Sequence, residues 1–161
     1  MSHLEDLLCE YYDWQGYIVR RNVKVGRLGH GGWEGELDIV AYHPKTKHLV
    51  HLEPSLDADP WPKREQRFAK KFQSGLKYIF KDVFPWLASS TALEQVAVLV
   101  RGGGGHRKLA GAEIRSIDDF VSEIRNEVAK HGQMARAAIA EQLPLLRTIQ
   151  LVESGYYKRL K

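Results

Sequence analysis

Six consecutive residues, Gln95 to Val100 (QVAVLV), set the strongest limit on what this chain can fold into. A short apolar run without helical spacing suits a strand covered on both faces, and such a strand needs a layer above and below it. The residues before it supply candidates. Leu4, Leu7, Leu8, Tyr11 and Tyr12 fall at the i, i+3, i+4, i+7, i+8 spacing of an amphipathic helix over residues 3–15, with Ser2 as N-cap and Gly16 as its end. Residues 17–25 (YIVRRNVKV) and 34–42 (EGELDIVAY) read as strands, separated by a loop carrying Gly26, Gly29, Gly31 and Gly32. A turn at His43 to Lys47 leads to a third strand, HLVHLE over 48–53, in hairpin relation to the second, and Pro54 is expected to end that pairing.

At Trp61 the period becomes helical, with Phe68, Phe72, Leu76, Ile79 and Phe80 on one face and Arg67, Lys70, Lys71, Ser74 and Lys77 largely on the other. After the 95–100 strand, Gly102 to Gly105 form a loop that lacks the GxxxxGK[ST] phosphate-binding pattern. A short strand is expected over 112–117, then a helix started by Ser116 and Asp119 and running to about Lys130. A final helical stretch from about Gln133 to Glu153 is interrupted or restarted at Pro144. This order predicts an α/β fold, a mixed sheet flanked by helices. The length, 161 residues, suits one domain over 1–161, with a core at about 3–130 and a C-terminal helical extension at about 133–161.

Composition narrows the chemistry. With 43% hydrophobic and 27% charged residues the chain has the balance of a folding protein rather than a disordered one. No apolar run approaches a membrane span, and the acidic MSHLEDLL start is unlike a signal peptide, so a cytoplasmic address is expected. Cys9 is the single cysteine, which excludes an intrachain disulfide and a cysteine-based zinc cluster. His30, His43, His48 and His51 lack the spacing of a helical metal pair and read as surface or sheet histidines. The tryptophans read as core or interface anchors, with Trp33 placed to touch a substrate. The net charge of +4 is unevenly spread: Lys63, Arg64, Arg67, Lys70, Lys71, Lys77 and Lys81 face only Glu65 between Trp61 and Lys81. Such a stripe is the footprint expected of a phosphate-backbone partner, and equally of a solvated helix face.

Asp38 stands inside an otherwise buried strand, beside Leu37, Ile39 and Val40, with Glu36 two residues earlier on the same face. The hairpin brings Asp38 and Glu53 toward one edge. Two converging carboxylates repel unless a cation or proton compensates, and oxygen-only ligation suits Mg²⁺. The competing reading is an ordinary ion pair of Asp38 or Glu53 with Lys47 or a helix lysine; Glu36 equally reads as a solvent-facing strand acid.

The stretch GELDIVA (35–41), with fourteen residues between Asp38 and Glu53, resembles the core of the PD-(D/E)XK nuclease superfamily, most closely the small Holliday-junction-resolvase-like and YraN-type members. The likeness covers about residues 3–100, including a helix acid (Glu10) and a strand with Arg20, Arg21 and Asn22. It implies a restriction-endonuclease-like αβββαβ core and Mg²⁺-dependent (or Mn²⁺-dependent) endonuclease cleavage of DNA. Asp38 and Glu53 would be metal ligands, the Pro54 carbonyl a further one, and Glu10 an auxiliary acid. Where the family has a lysine two residues after the third-strand acid, this chain has Ser55. Either Lys70 or Lys71 of the following helix replaces it, or the domain is catalytically degenerate and serves as a nucleic-acid-binding or protein-interaction module, or Ser55 is an introduced change. On the nuclease reading Lys63, Arg67, Lys70, Lys71 and Lys77 track phosphates. Gln73, followed five residues on by Tyr78, loosely resembles the Gln-xxx-Tyr motif of RecB-like nucleases. The apolar stretch Ala137 to Val152 offers a homodimer interface.

Overall fold

The computed structural model describes residues 2–101 and 103–156. Gly102 of the glycine loop and residues 157–161 of the expected C-terminal extension lie outside the described residues. The elements run α1 (His3–Trp14), β1 (Ile18–Arg27), β2 (Trp33–His43), β3 (His48–Ser55), α2 (Trp61–Tyr78) with a π-helical turn at Ile79–Val83, β4 (Leu93–Leu99), β5 (Lys108–Leu109), β6 (Ala112–Ser116), α3 (Ile117–His131) and α4 (Pro144–Glu153). One mixed six-stranded sheet has the order β1-β2-β3-β4-β6-β5. The β1–β2 and β2–β3 pairs are antiparallel, β3–β4 and β4–β6 are parallel, and β5 closes antiparallel on β6.

Helices cover both faces, as the QVAVLV run requires. On one face Leu8, Tyr12, Phe120, Ile124 and Leu146 from α1, α3 and α4 pack on Ile39, Ala41, Val50, Leu52, Val96 and Val98. On the other, Tyr78, Ile79, Val83 and Phe84 pack on Val25, Val40, Tyr42 and Leu49, while Phe68 and Phe72 cover Ala97 and Leu99.

Three expectations are corrected. The third strand does not stop at Glu53: its pairing with β2 ends before Pro54, as expected, but it runs on to Ser55 on the parallel side, with Pro54 opposite Val98. Leu76 is not on the buried face of α2 but is 60% exposed. Residues 133–143 are not helical. Their backbone is tied instead by the buried Gln150, whose Oε1 accepts from the Ile139 N–H and whose Nε2 donates to the carbonyls of Gly132 and Ala137. Of the apolar stretch expected to form a dimer interface, Ile139, Leu143 and Leu146 are buried within the chain's own core, while Val152 is exposed.

Candidate active site

β2 and β3 part company at the site. Their last register pair is Ile39 with Leu52; beyond it β2 continues against β1 while β3 continues against β4. Asp38 and Glu53 are the first residues past this fork. On the β1 side the register brackets Asn22 opposite Asp38, and Asn22 takes φ +49°. Across the same point the two-residue alternation of β2 slips: Leu37 packs with Val40 and Tyr42 on the α2 side, whereas Ile39 and Ala41 lie on the other face. The slip and the fork together leave the Asp38 N–H without a β3 backbone partner, and it donates to Glu53 Oε1 at 3.2 Å.

Two glycines let α2 come down on this edge. A Cβ on Gly35 would stand 2.9 Å from Ser74 Oγ, and one on Gly75 would stand 2.4 Å from His51 Nδ1. The close approach brings Lys71 over the carboxylates. Its ammonium donates to Asp38 Oδ1 at 2.6 Å and to Glu53 Oε2 at 2.5 Å. Of the two lysines expected to replace the motif lysine, Lys71 is therefore the one in place. Lys70, one residue earlier, is exposed and points to a cleft shared with Glu34, Glu36 and Ser74.

Burial and partners divide the two acids. Glu53 is 1% exposed. Burial pushes its carboxyl up, but the hydrogen bond from His51, one shared with Asp38 and the charge of Lys71 prevail and hold it below the ordinary carboxyl value. Burial likewise pushes Asp38 up, the adjoining Glu53 carboxylate adds to the rise against Lys71, and the group is carried to about 7. Burial disfavours the Lys71 charge, yet Glu53 and Asp38 outweigh it and hold the ammonium above the ordinary lysine value. Lys71 is thus a proton donor and a fixed positive charge, not a free base.

The remaining expected residues scatter. Glu10 is not at the site: its Oε2 accepts from the N–H groups of Leu145 and Leu146, at 2.9 and 3.0 Å, at the start of α4. The α1 acid that reaches the cavity is Glu5, which lines it with Glu53, Ser55, Arg67 and Lys71. Glu5 and Glu10 are five residues apart, about 140° around a helix, so only the placement of α1 on the sheet decides between them. Pro54 lines the same cavity. Ser55 Oγ donates to Asp57 Oδ2 at 2.9 Å and accepts from Arg67 Nη2 at 2.9 Å, so the hydroxyl ties the loop after β3 to α2. Gln73 is exposed.

The basic stripe is largely neutralised. Lys63 pairs with Asp59 at 2.8 Å, Arg67 with Asp57 and with Asp59 at 3.0 Å, and Lys77 with Glu34 at 2.9 Å. These acids lie outside residues 61–81, on β2 (Glu34) and in the loop between β3 and α2 (Asp57 and Asp59).

Among the described residues no three His, Cys, Asp or Glu side chains converge as a metal-binding group. The donor set that does converge, two carboxylates beside the Pro54 backbone, still fits a hard ion such as Mg²⁺, which commonly takes one or two protein carboxylates and completes its shell with water and substrate phosphate. Comparison with family models and with curated proteins found no match to this chain. No helix among the described residues is long and apolar enough to cross a membrane.

Proposed function

We propose that this chain is a Mg²⁺-dependent phosphodiesterase of PD-(D/E)XK type acting on DNA, with Asp38 and Glu53 as metal ligands and Lys71 in the role of the missing motif lysine. The observation that carries the reading is the Lys71 ammonium at 2.6 and 2.5 Å from the paired carboxylates, supplied from α2 where Ser55 leaves the strand position vacant. A divalent ion held by Asp38 and Glu53 would supply an activated water and neutralise charge on the scissile phosphate. The chain's own residues do the rest. Glu53, ionised and immobile, and Asp38, poised near neutrality, hold the cation's place. Lys71 keeps its proton and sets a positive charge where a non-bridging phosphate oxygen gains charge. Glu5 and Ser55 line the approach. Of the helix cations, exposed Lys70 is ready for a phosphate, whereas Lys63, Arg67 and Lys77 must exchange an aspartate or glutamate for one.

A second reading has its own support. Lys71 already satisfies both carboxylates, as it would in a degenerate domain that binds nucleic acid or protein without cutting. Calorimetric titration with Mn²⁺ beside cleavage of duplex, branched and single-stranded DNA separates them. The nuclease predicts metal-dependent cutting, metal binding lost in D38A/E53A, and K71A lowered by about 10²-fold or more in rate with metal binding retained. Salt-sensitive DNA binding without cutting or metal uptake would establish the degenerate module instead.

A further inference from the structure

His51 is fully buried two residues before Glu53 on β3, and nothing in the proposed chemistry uses it. Its surroundings define its protonation. Gln95 on β4 directs its amide nitrogen at the Phe72 carbonyl, 2.9 Å away, which fixes the amide orientation because that oxygen can only accept. The same nitrogen lies 3.2 Å from His51 Nδ1. With one N–H spent on Phe72, its other N–H meets the ring, so Nδ1 is the acceptor and the ring proton sits on Nε2. That Nε2 is 2.8 Å from Glu53 Oε1. Phe72 packs edge-on against the ring, with centroids 5.4 Å apart, and the absence of a side chain on Gly75 gives the ring its room.

We infer that His51 is a positioning residue for this site: an imidazole, locked in its Nε2–H tautomer by Gln95, that together with the Asp38 N–H clamps Glu53 Oε1 so that Oε2 is turned toward Lys71. The consequence for metal and catalysis rests on the nuclease reading, but the clamp does not. Without it, the glutamate loses one of the donors that hold its charge in a dry environment, and its second oxygen is free to rotate away from the fork. Partners of this kind commonly tune metal affinity or activity by 10–100-fold.

The test has two arms. Nitrogen-15 NMR of the metal-free protein should show His51 Nε2 protonated and Nδ1 bare, and Q95L should mix the tautomers; a ring protonated at Nδ1 overturns the inference. Mn²⁺ titration and steady-state cleavage of H51Q and H51L form the second arm, after thermal denaturation has confirmed that each folds. H51Q keeps an N–H donor at the Nε2 position and should stay within a few-fold of wild type. H51L should bind Mn²⁺ about 10–100-fold more weakly and lose kcat with little change in KM. Equal behaviour of the two variants reduces His51 to a packing residue and overturns the clamp. Should wild type bind no metal, the nuclease reading falls, and the tautomer measurement still decides the clamp by itself.

Discussion

Asp38 and Glu53 carry the same functional group and share one lysine, yet their protonation is split by what the backbone and His51 give to one and not the other. The split has a sign in stability. Asp38 releases its proton near 3.8 in the unfolded chain and near 7 when folded, so across that window the folded state binds more protons and stability falls as pH rises. Glu53 runs opposite, from 4.5 unfolded to a lower value folded, so its contribution grows as pH rises through that range and is complete above 4.5. The pair therefore favours folding most at about pH 4, between the two unfolded values. Urea denaturation with chelator present should find wild type about 2–3 kcal/mol less stable at pH 8 than at pH 5 from this source. D38N should lack that decline; an identical pH profile in the variant would refute the assignment. The sequence made the converging acids legible, because a charged residue inside an apolar strand has few explanations. It also narrowed the lysine to Lys70 or Lys71 and no further, because both read as lying on the face opposite Phe68 and Phe72; the reach of Lys71 to Asp38 and Glu53 depends on how α2 sits on the sheet. The His51 clamp was not legible, since it depends on Gln95 from a strand forty-four residues away.

At the scale of elements, α2 decides the site, and it does so by its distance from the sheet. Its apolar period was readable from Phe68 and Phe72, but how closely it packs depends on Gly35 and Gly75, each of which meets a side chain of the facing element. G75A should cost about 1–3 kcal/mol, the usual range for overpacking a filled site, and should perturb the His51 ring signals. G29A, where no heavy atom lies within 4 Å, is the control and should leave Tm within a degree or two. Wild-type stability in G75A would mean that α2 has slack over β3 and that Lys71 is not held in place by packing. The charge of α2 teaches the reverse lesson. A count along one segment gave a free basic stripe, while the fold brings Asp57, Asp59 and Glu34 from the flanking loop and strand to meet it. DNA affinity should accordingly fall with salt on a shallow log–log slope, nearer two or three phosphate contacts than seven. A slope of about 6 would show that phosphates displace these acids wholesale.

At the scale of the whole molecule, the first helix and the last are joined by the residue that a family resemblance had assigned to chemistry. α4 begins with Leu143 in the N-cap position and Pro144 just inside, so it has no side-chain cap of its own. Glu10, 135 and 136 residues away, supplies one by accepting the free N–H groups of Leu145 and Leu146. A carboxylate there also meets the positive end of the helix dipole. Burial raises the Glu10 carboxyl and the two N–H groups oppose that rise without overcoming it, so the folded state holds the Glu10 proton more firmly than the unfolded chain and this contribution to stability falls as pH rises through the raised value. The element order could be read along the chain because each element has a period, whereas a cap from another helix leaves no period to read; its only trace is an apolar residue where a cap belongs. E10A should lower stability by about 0.5–2 kcal/mol, the usual worth of an N-cap, and leave Mn²⁺ affinity unchanged. E5Q should do the opposite, altering cleavage in a cavity it shares with Glu53 while costing little stability, since Ser2 Oγ still accepts from the residue 5 N–H. Exchanged outcomes, with metal binding lost in E10A and kept in E5Q, would return Glu10 to the site and require α1 to sit differently on the sheet.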